Sequence, residues 1–136
     1  MAPKKMSSRE VGAEGERLAA SYLMDRGYDI LELNWVSPHG EADIIAYDGT
    51  EEHHEGGATV LVEVKSRFVG PEEYEAIPEL AVDEEKQKRY TKIALDYMGM
   101  YPEHESVRFD VVAVNVRGKG SCKLRHLLGA YCWDEQ

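Results

Sequence analysis

Two apolar runs in this chain carry charges where a buried strand should have none: Gly40-Glu41-Ala42-Asp43-Ile44-Ile45-Ala46 and, about a hairpin later, Leu61-Val62-Glu63-Val64-Lys65-Ser66-Arg67. Ile44, Ile45 and Ala46, with Val60, Leu61, Val62 and Val64, read as central, largely buried strands. Charges in such strands are rare unless paired or metal-bound. Side chains two apart on a strand share a face, so Glu63 projects with Lys65 and Glu41 with Asp43. Antiparallel pairing about the midpoint of the intervening loop sets Asp43 opposite Glu63 and Glu41 opposite Lys65, with Cβ atoms about 5 Å apart. Two carboxylates at that spacing can share one hard cation. The register is an expectation, because a loop of this length does not fix it.

Such a grouping suits phosphodiester hydrolysis. Asp and Glu oxygens hold Mg²⁺ or Mn²⁺, the ion polarises a phosphoryl oxygen and activates water, and a nearby ammonium steadies the developing charge. Lys65, two residues from Glu63, supplies that ammonium without being a ligand. A Val-Glu-Val-Lys strand with one wet face is also ordinary in an antiparallel sheet. The apolar surroundings favour the chemical reading.

The remaining elements alternate. Ser7-x-x-Glu10 is a capping box, followed by the helical stripe Val11, Gly15, Leu18, Ala19, Tyr22 and Leu23, which Gly27 stops. Residues 28–35, 41–47 and 59–66 read as strands, with Asp48-Gly49 starting the turn between the last two. The stripe Tyr90, Ile93, Ala94, Tyr97 and Met98 marks a second helix capped by Asp83. Strands at 107–116 and 122–128 follow, joined by Gly118-Lys119-Gly120-Ser121. The expected fold is α/β, one domain over 1–136 in the order α-β-β-β-α-β-β, with flexible tails at 1–7 and 134–136. A chain of 136 residues can bury a single core without staples.

These residues also carry a resemblance. The two acidic runs, Ala81-Val82 with Lys86 and Arg89, Arg108-Phe109-Asp110-Val111-Val112, and the opening Gly12-x-x-Gly15-Glu16 with Ala19, Ala20, Tyr22, Leu23 and Gly27-Tyr28 look like the YraN-like family. The likeness runs from about residue 11 to the His126 region. That family resembles Holliday-junction resolvases and the restriction-endonuclease-like superfamily. The resemblance implies a restriction-endonuclease-like mixed β-sheet flanked by helices, with Asp43, Glu63 and Lys65 at the metal and catalytic positions. It places Glu16 on the first helix as an additional metal ligand. It also suggests, by analogy with two-fold resolvases, a homodimer.

Charge cuts against a DNA partner. The net charge is −10, whereas DNA-binding proteins usually present clustered Lys and Arg. The distribution softens the objection: residues 72 to 85 hold seven acidic side chains and no basic one, while Lys86, Lys88, Arg89 and Lys92, and then Arg117, Lys119, Lys123 and Arg125, run without an acid between them. With Lys4, Lys5 and Arg9 they can line one basic face, or both segments are merely solvated surface. No window approaches a membrane span and the start lacks a signal-peptide core, so a cytoplasmic protein is expected. Cys122 and Cys132 form no Cys-x-x-Cys pair and read as reduced structural thiols, although His126 between them keeps a metal site conceivable. His53-His54 and His39 read as turn residues, Tyr90, Tyr97, Tyr101, Trp35 and Trp133 as packing residues, and Gly12 and Gly15 as sites of close helix packing.

The sequence therefore points to a Mg²⁺- or Mn²⁺-dependent endonuclease-like protein acting on DNA, branched or otherwise structured. Asp43 and Glu63 are the expected ligands with Glu16 completing the site, Lys65 the electrostatic catalyst, and Arg67, Lys86 and Arg89 the phosphate contacts. The competing reading is a non-catalytic interaction module in which Glu41, Asp43, Glu63 and Lys65 form a structural ion-pair cluster.

Overall fold

The computed structural model describes residues 6–50, 57–70, 82–104, 106–118 and 120–131. Helix α1 (Ser8–Asp25) is followed by β1 (Asp29–Ser37), β2 (Gly40–Asp48) and β3 (Ala58–Phe68), then α2 (Glu84–Met100), β4 (Val107–Gly118) and β5 (Ser121–Tyr131). The expected order α-β-β-β-α-β-β is the observed one. A single five-stranded sheet runs β1-β2-β3-β4-β5. Only β3 and β4 are parallel; the other three pairings are antiparallel. That parallel step requires a crossover, and α2 lies within it.

Sequence sets each boundary. Ser7 and Glu10 form the reciprocal capping box of α1, and Gly27 follows its end with φ +92°. Asp83 caps α2 by accepting the Lys86 N–H at 2.8 Å. The strand periodicity divides the core in two. Val60 and Val62 of β3 pack with Val112, Val114 and Val116 of β4 beneath Val11, Ala19, Ala20 and Leu23 of α1. On the opposite face Leu61 and Phe109 pack under Tyr90, Ile93, Ala94 and Tyr97 of α2. Trp35 meets Tyr97 edge-on and Tyr101 tilts against it, so these aromatics are packing residues as expected.

Met6 packs against the first core and Ser7 caps α1. Residues 1–5 and 134–136, His53-His54, most of the acidic run from 72, Ala81, Lys119, Cys132 and Trp133 lie outside the described residues. One expectation about glycines divides. A Cβ at Gly15 would overlap Ser66 Oγ, whereas one at Gly12 would meet open space. Only Gly15 lets helix and sheet approach closely. Gly15→Ala should therefore cost about 1–3 kcal/mol in chemical denaturation by overpacking. A neutral or stabilising Gly15→Ala would show that Ser66 simply moves aside.

Candidate active site

The β2–β3 ladder follows the expected register, from Asp48↔Ala58 to Ile44↔Val62. Asp43 and Glu63 are the next residues beyond its last pair. There β2 loses strict alternation: Ala42 belongs to the core under α2 and Ile44, two residues on, to the core under α1. The Asp43 carboxylate fills the resulting gap, Oδ2 accepting the Val64 N–H at 2.8 Å. A side chain thus takes the place of a ladder carbonyl, and its position is fixed by backbone on both strands. Glu41 instead sits exposed opposite Val36 of β1, and the β2–β3 ladder does not extend to Lys65.

Glu63 is buried on the α2 face, and its Oε1 lies 2.8 Å from the Nζ of Lys86. Burial pushes the Asp43 carboxyl up to about 7; the Val64 N–H opposes this, Glu63 and Glu16 reinforce it, and Lys86 opposes it. Tyr90 of α2 packs alongside, accepting the Asp43 N–H at 3.4 Å, and burial pushes its hydroxyl upward. Two carboxylates are therefore held close together in a weakly solvated setting. Mg²⁺ is bound by one or two protein carboxylates with waters and substrate phosphates completing the shell. Asp43 and Glu63 fit that donor set.

A third carboxylate does not join them. Glu16 is close enough for its charge to act on Asp43, but its Oε1 accepts from Asn34 Nδ2 at 2.8 Å. Among the described residues no three His, Cys, Asp or Glu side chains gather as a metal-ligating group. Asn34 adopts φ +50°, the one non-glycine residue with positive φ among those described. An Asn tolerates that conformation better than most residues do.

The profile of the uncharacterised protein family UPF0102 matches residues 15–114, spanning both acidic strands and α2. The chain belongs to the UPF0102 family. A UPF0102 protein of Thermodesulfovibrio yellowstonii is 40% identical over 126 residues, covering 93% of this chain and 99% of that protein. One of Syntrophus aciditrophicus is 41% identical over 121 residues, covering 88% and 87%, and one of Porphyromonas gingivalis 39% over 112 residues, covering 82% and 76%. The YraN-like resemblance is thereby borne out.

The other expected contacts of this UPF0102 member are distributed unevenly. Lys86, expected on phosphate, has its Nζ 2.8 Å from Glu63 Oε1. Arg89 is exposed on α2, where a Cβ at Gly40 would lie 3.0 Å from its Cδ. Strand registers set Lys65 beside Ala113 and Arg125, and Arg67 beside Asn115 and Lys123. Residues in register share a sheet face, so Lys65, Arg67, Lys123 and Arg125 lie on the face that carries Glu63. His39, in the β1–β2 turn as expected, also reaches α2, with Nδ1 2.8 Å from Asp96 Oδ2.

The sequence reading missed a buried polar chain on the α1 face. Arg108 grips Asp110 through Nε and Nη2 at 2.8 and 2.9 Å and Asp48 through Nη1 at 2.8 Å, and donates to the Tyr28 hydroxyl. His126 Nε2 lies 2.7 Å from Asp110 Oδ2, and its Nδ1 lies 3.1 Å from the Tyr22 hydroxyl. His126 is thus committed to Asp110 and Tyr22, not to a site with Cys122, whose thiol is free. The available signal was Arg108-x-Asp110, the same period-two charge pair in an apolar strand that singled out Glu63-x-Lys65.

Among the described residues no helix is long and apolar enough to cross a membrane.

Proposed function

We propose that this UPF0102 protein is a divalent-metal-dependent phosphodiesterase acting on DNA, with branched or structured DNA as its substrate class. The observation that carries the reading is the Asp43–Glu63 pair: two carboxylates brought together where β2 and β3 part, one of them pushed up to about 7 chiefly by burial. Like charges in so little water call for a cation. Asp43 and Glu63 are the residues that would hold Mg²⁺ or Mn²⁺, which when bound would polarise a phosphoryl oxygen and make a water more acidic. Lys65, on the Glu63 face of β3, would stabilise charge gathering on the phosphoryl oxygens. Tyr90 keeps bulk water from the Asp43 flank. Arg67, Lys123 and Arg125, on the same sheet face, would track the backbone phosphates, with Arg89 at the edge of α2. Glu16 is placed to orient the site through Asn34 and through its charge. A homodimer matching a two-fold substrate is part of this proposal.

A specific observation favours a second reading. The 2.8 Å Lys86–Glu63 pair already neutralises one carboxylate, as a purely structural ion-pair network would require. Calorimetric titration with Mn²⁺ separates the two. The wild type should release or absorb heat with a saturable profile, and the Asp43→Ala, Glu63→Ala double variant should give only dilution heats. Matching heats from both proteins would leave the interaction-module reading. A cleavage screen over linear, flapped and four-way DNA then identifies the substrate.

A further inference from the structure

Glu63 already has a cation. Its side chain is 9% exposed and that of its partner Lys86 is 34% exposed. The two ends of this pair differ in freedom. Glu63 is fixed on the central strand, in register with Val111 of β4, whereas Lys86 reaches in from the first turn of α2 on a flexible four-carbon stem. The Lys86 backbone is itself tied down, its N–H bonded to the capping carboxylate of Asp83. Only the side chain is free to leave.

We infer that Lys86 is a built-in substitute for the divalent cation at Glu63, displaced when that ion binds and then available to a substrate phosphate. The inference rests on the metal reading of Asp43 and Glu63. A divalent ion bound to a Glu63 oxygen at its usual distance of about 2 Å would lie about 4 Å from an ammonium held to the same oxygen. At that range two cations in a weakly solvated site repel strongly. The ammonium is the one that can move into water. Arg89, one turn further along α2, is exposed beside the same end of β2. A released Lys86 joins it as a second positive charge facing solvent. Metal loading and phosphate binding are thereby coupled: without the ion Lys86 neutralises the carboxylate, and with it Lys86 strengthens the hold on the phosphate backbone.

Two measurements on the full chain without DNA test this. By calorimetry, Lys86→Met should bind Mn²⁺ about tenfold more tightly than wild type, as expected for removal of a competing ligand, and Lys86→Arg should stay near wild type. Equal or weaker Mn²⁺ binding by folded Lys86→Met overturns the inference. The wild type supplies the second arm, which stands even if Lys86→Met fails to fold. Acetylation of Lys86 by an N-hydroxysuccinimide ester, followed by peptide mass spectrometry, should accelerate severalfold at saturating Mn²⁺. A rate unmoved by Mn²⁺ overturns the inference, while the metal reading survives as long as Asp43→Ala abolishes Mn²⁺ uptake. If wild type and Lys86→Met both fail to bind Mn²⁺, both readings fall.

Discussion

Lys65→Ala is expected to lower DNA cleavage by about a hundredfold or more while leaving Mn²⁺ affinity nearly unchanged. The expectation follows from where β3 holds this residue. β3 is the central strand, and beyond the end of its ladder with β2 it stays paired with β4, so Lys65 follows Glu63 on the same face in register with Ala113. A strand residue held in register by a neighbouring strand is positioned more accurately than one on a loop. The ammonium therefore stands ready before charge develops, which is the condition for electrostatic stabilisation of a transition state. Such a group acts on kcat, since the ground-state phosphodiester carries less charge at the reacting oxygens. A mere phosphate contact would behave differently: its loss would raise KM and flatten the salt dependence of binding by about one unit per phosphate. Kinetics at saturating DNA and Mn²⁺, with binding measured separately in Ca²⁺, distinguish the two roles. Cleavage by Lys65→Ala at the wild-type rate would remove this residue from the mechanism.

Local signals carried most of the fold. Ser7, Glu10 and Asp83 act on atoms three residues away, so their caps are visible in a short window. The β2–β3 register was legible for a different reason: symmetric antiparallel pairing about the midpoint of the connecting loop sets Ile44 opposite Val62, the pairing observed. Long-range polar partnerships were not legible in this way. Lys86 and Glu63 lie on elements separated by residues outside any periodic pattern, and nothing local distinguishes a lysine aimed at a carboxylate from one aimed at a phosphate. The same holds for the Asp48–Arg108–Asp110–His126 chain, whose members come from β2, β4 and β5. Glu16 illustrates the limit of analogy. Its placement on α1 near Asp43 was anticipated, but Asn34, which holds its carboxylate, could be found only once β1 had been set against α1. Gly12 and Gly15 look alike in sequence, yet only the second faces Ser66.

The buried polar chain is where the largest loss of stability is expected. Asp48 and Asp110 side chains are fully buried, His126 is 5% exposed and Arg108 14% exposed. Removing one member of such a group leaves an uncompensated charge, at a cost of about 3–5 kcal/mol. Asp110→Ala is the most damaging choice, because Asp110 accepts from Arg108 twice and from the Gly129 N–H and also pairs with His126. That one carboxylate ties β4 to the far part of β5, where their ladder is irregular between Phe109 and Val111. Replacing Asp48, Arg108 and Asp110 together with apolar residues of similar volume should cost less than Asp110→Ala alone, since no charge is then stranded. The pH dependence has a defined sign. Burial pushes the Asp110 carboxyl up, but hydrogen bonds from His126 and Arg108 outweigh it and hold the group below the usual carboxylate range. Asp48 is lowered in the same way: burial opposes the shift, and Thr50 and Arg108 overcome it. A carboxylate with a depressed folded pKa contributes stability that is fully present above its unfolded value, about 4, and is lost as the pH falls towards the folded one. Wild-type stability should therefore decline steeply below about pH 4, and Asp110→Asn, already weaker near neutrality, should show a shallower acid limb. Urea unfolding measured from about pH 2 to 7 reads both effects. An Asp110→Ala protein within about 1 kcal/mol of wild type at neutral pH would mean that Arg108 and His126 re-pair at little cost, and the chain would no longer count as the clamp joining β2, β4 and β5.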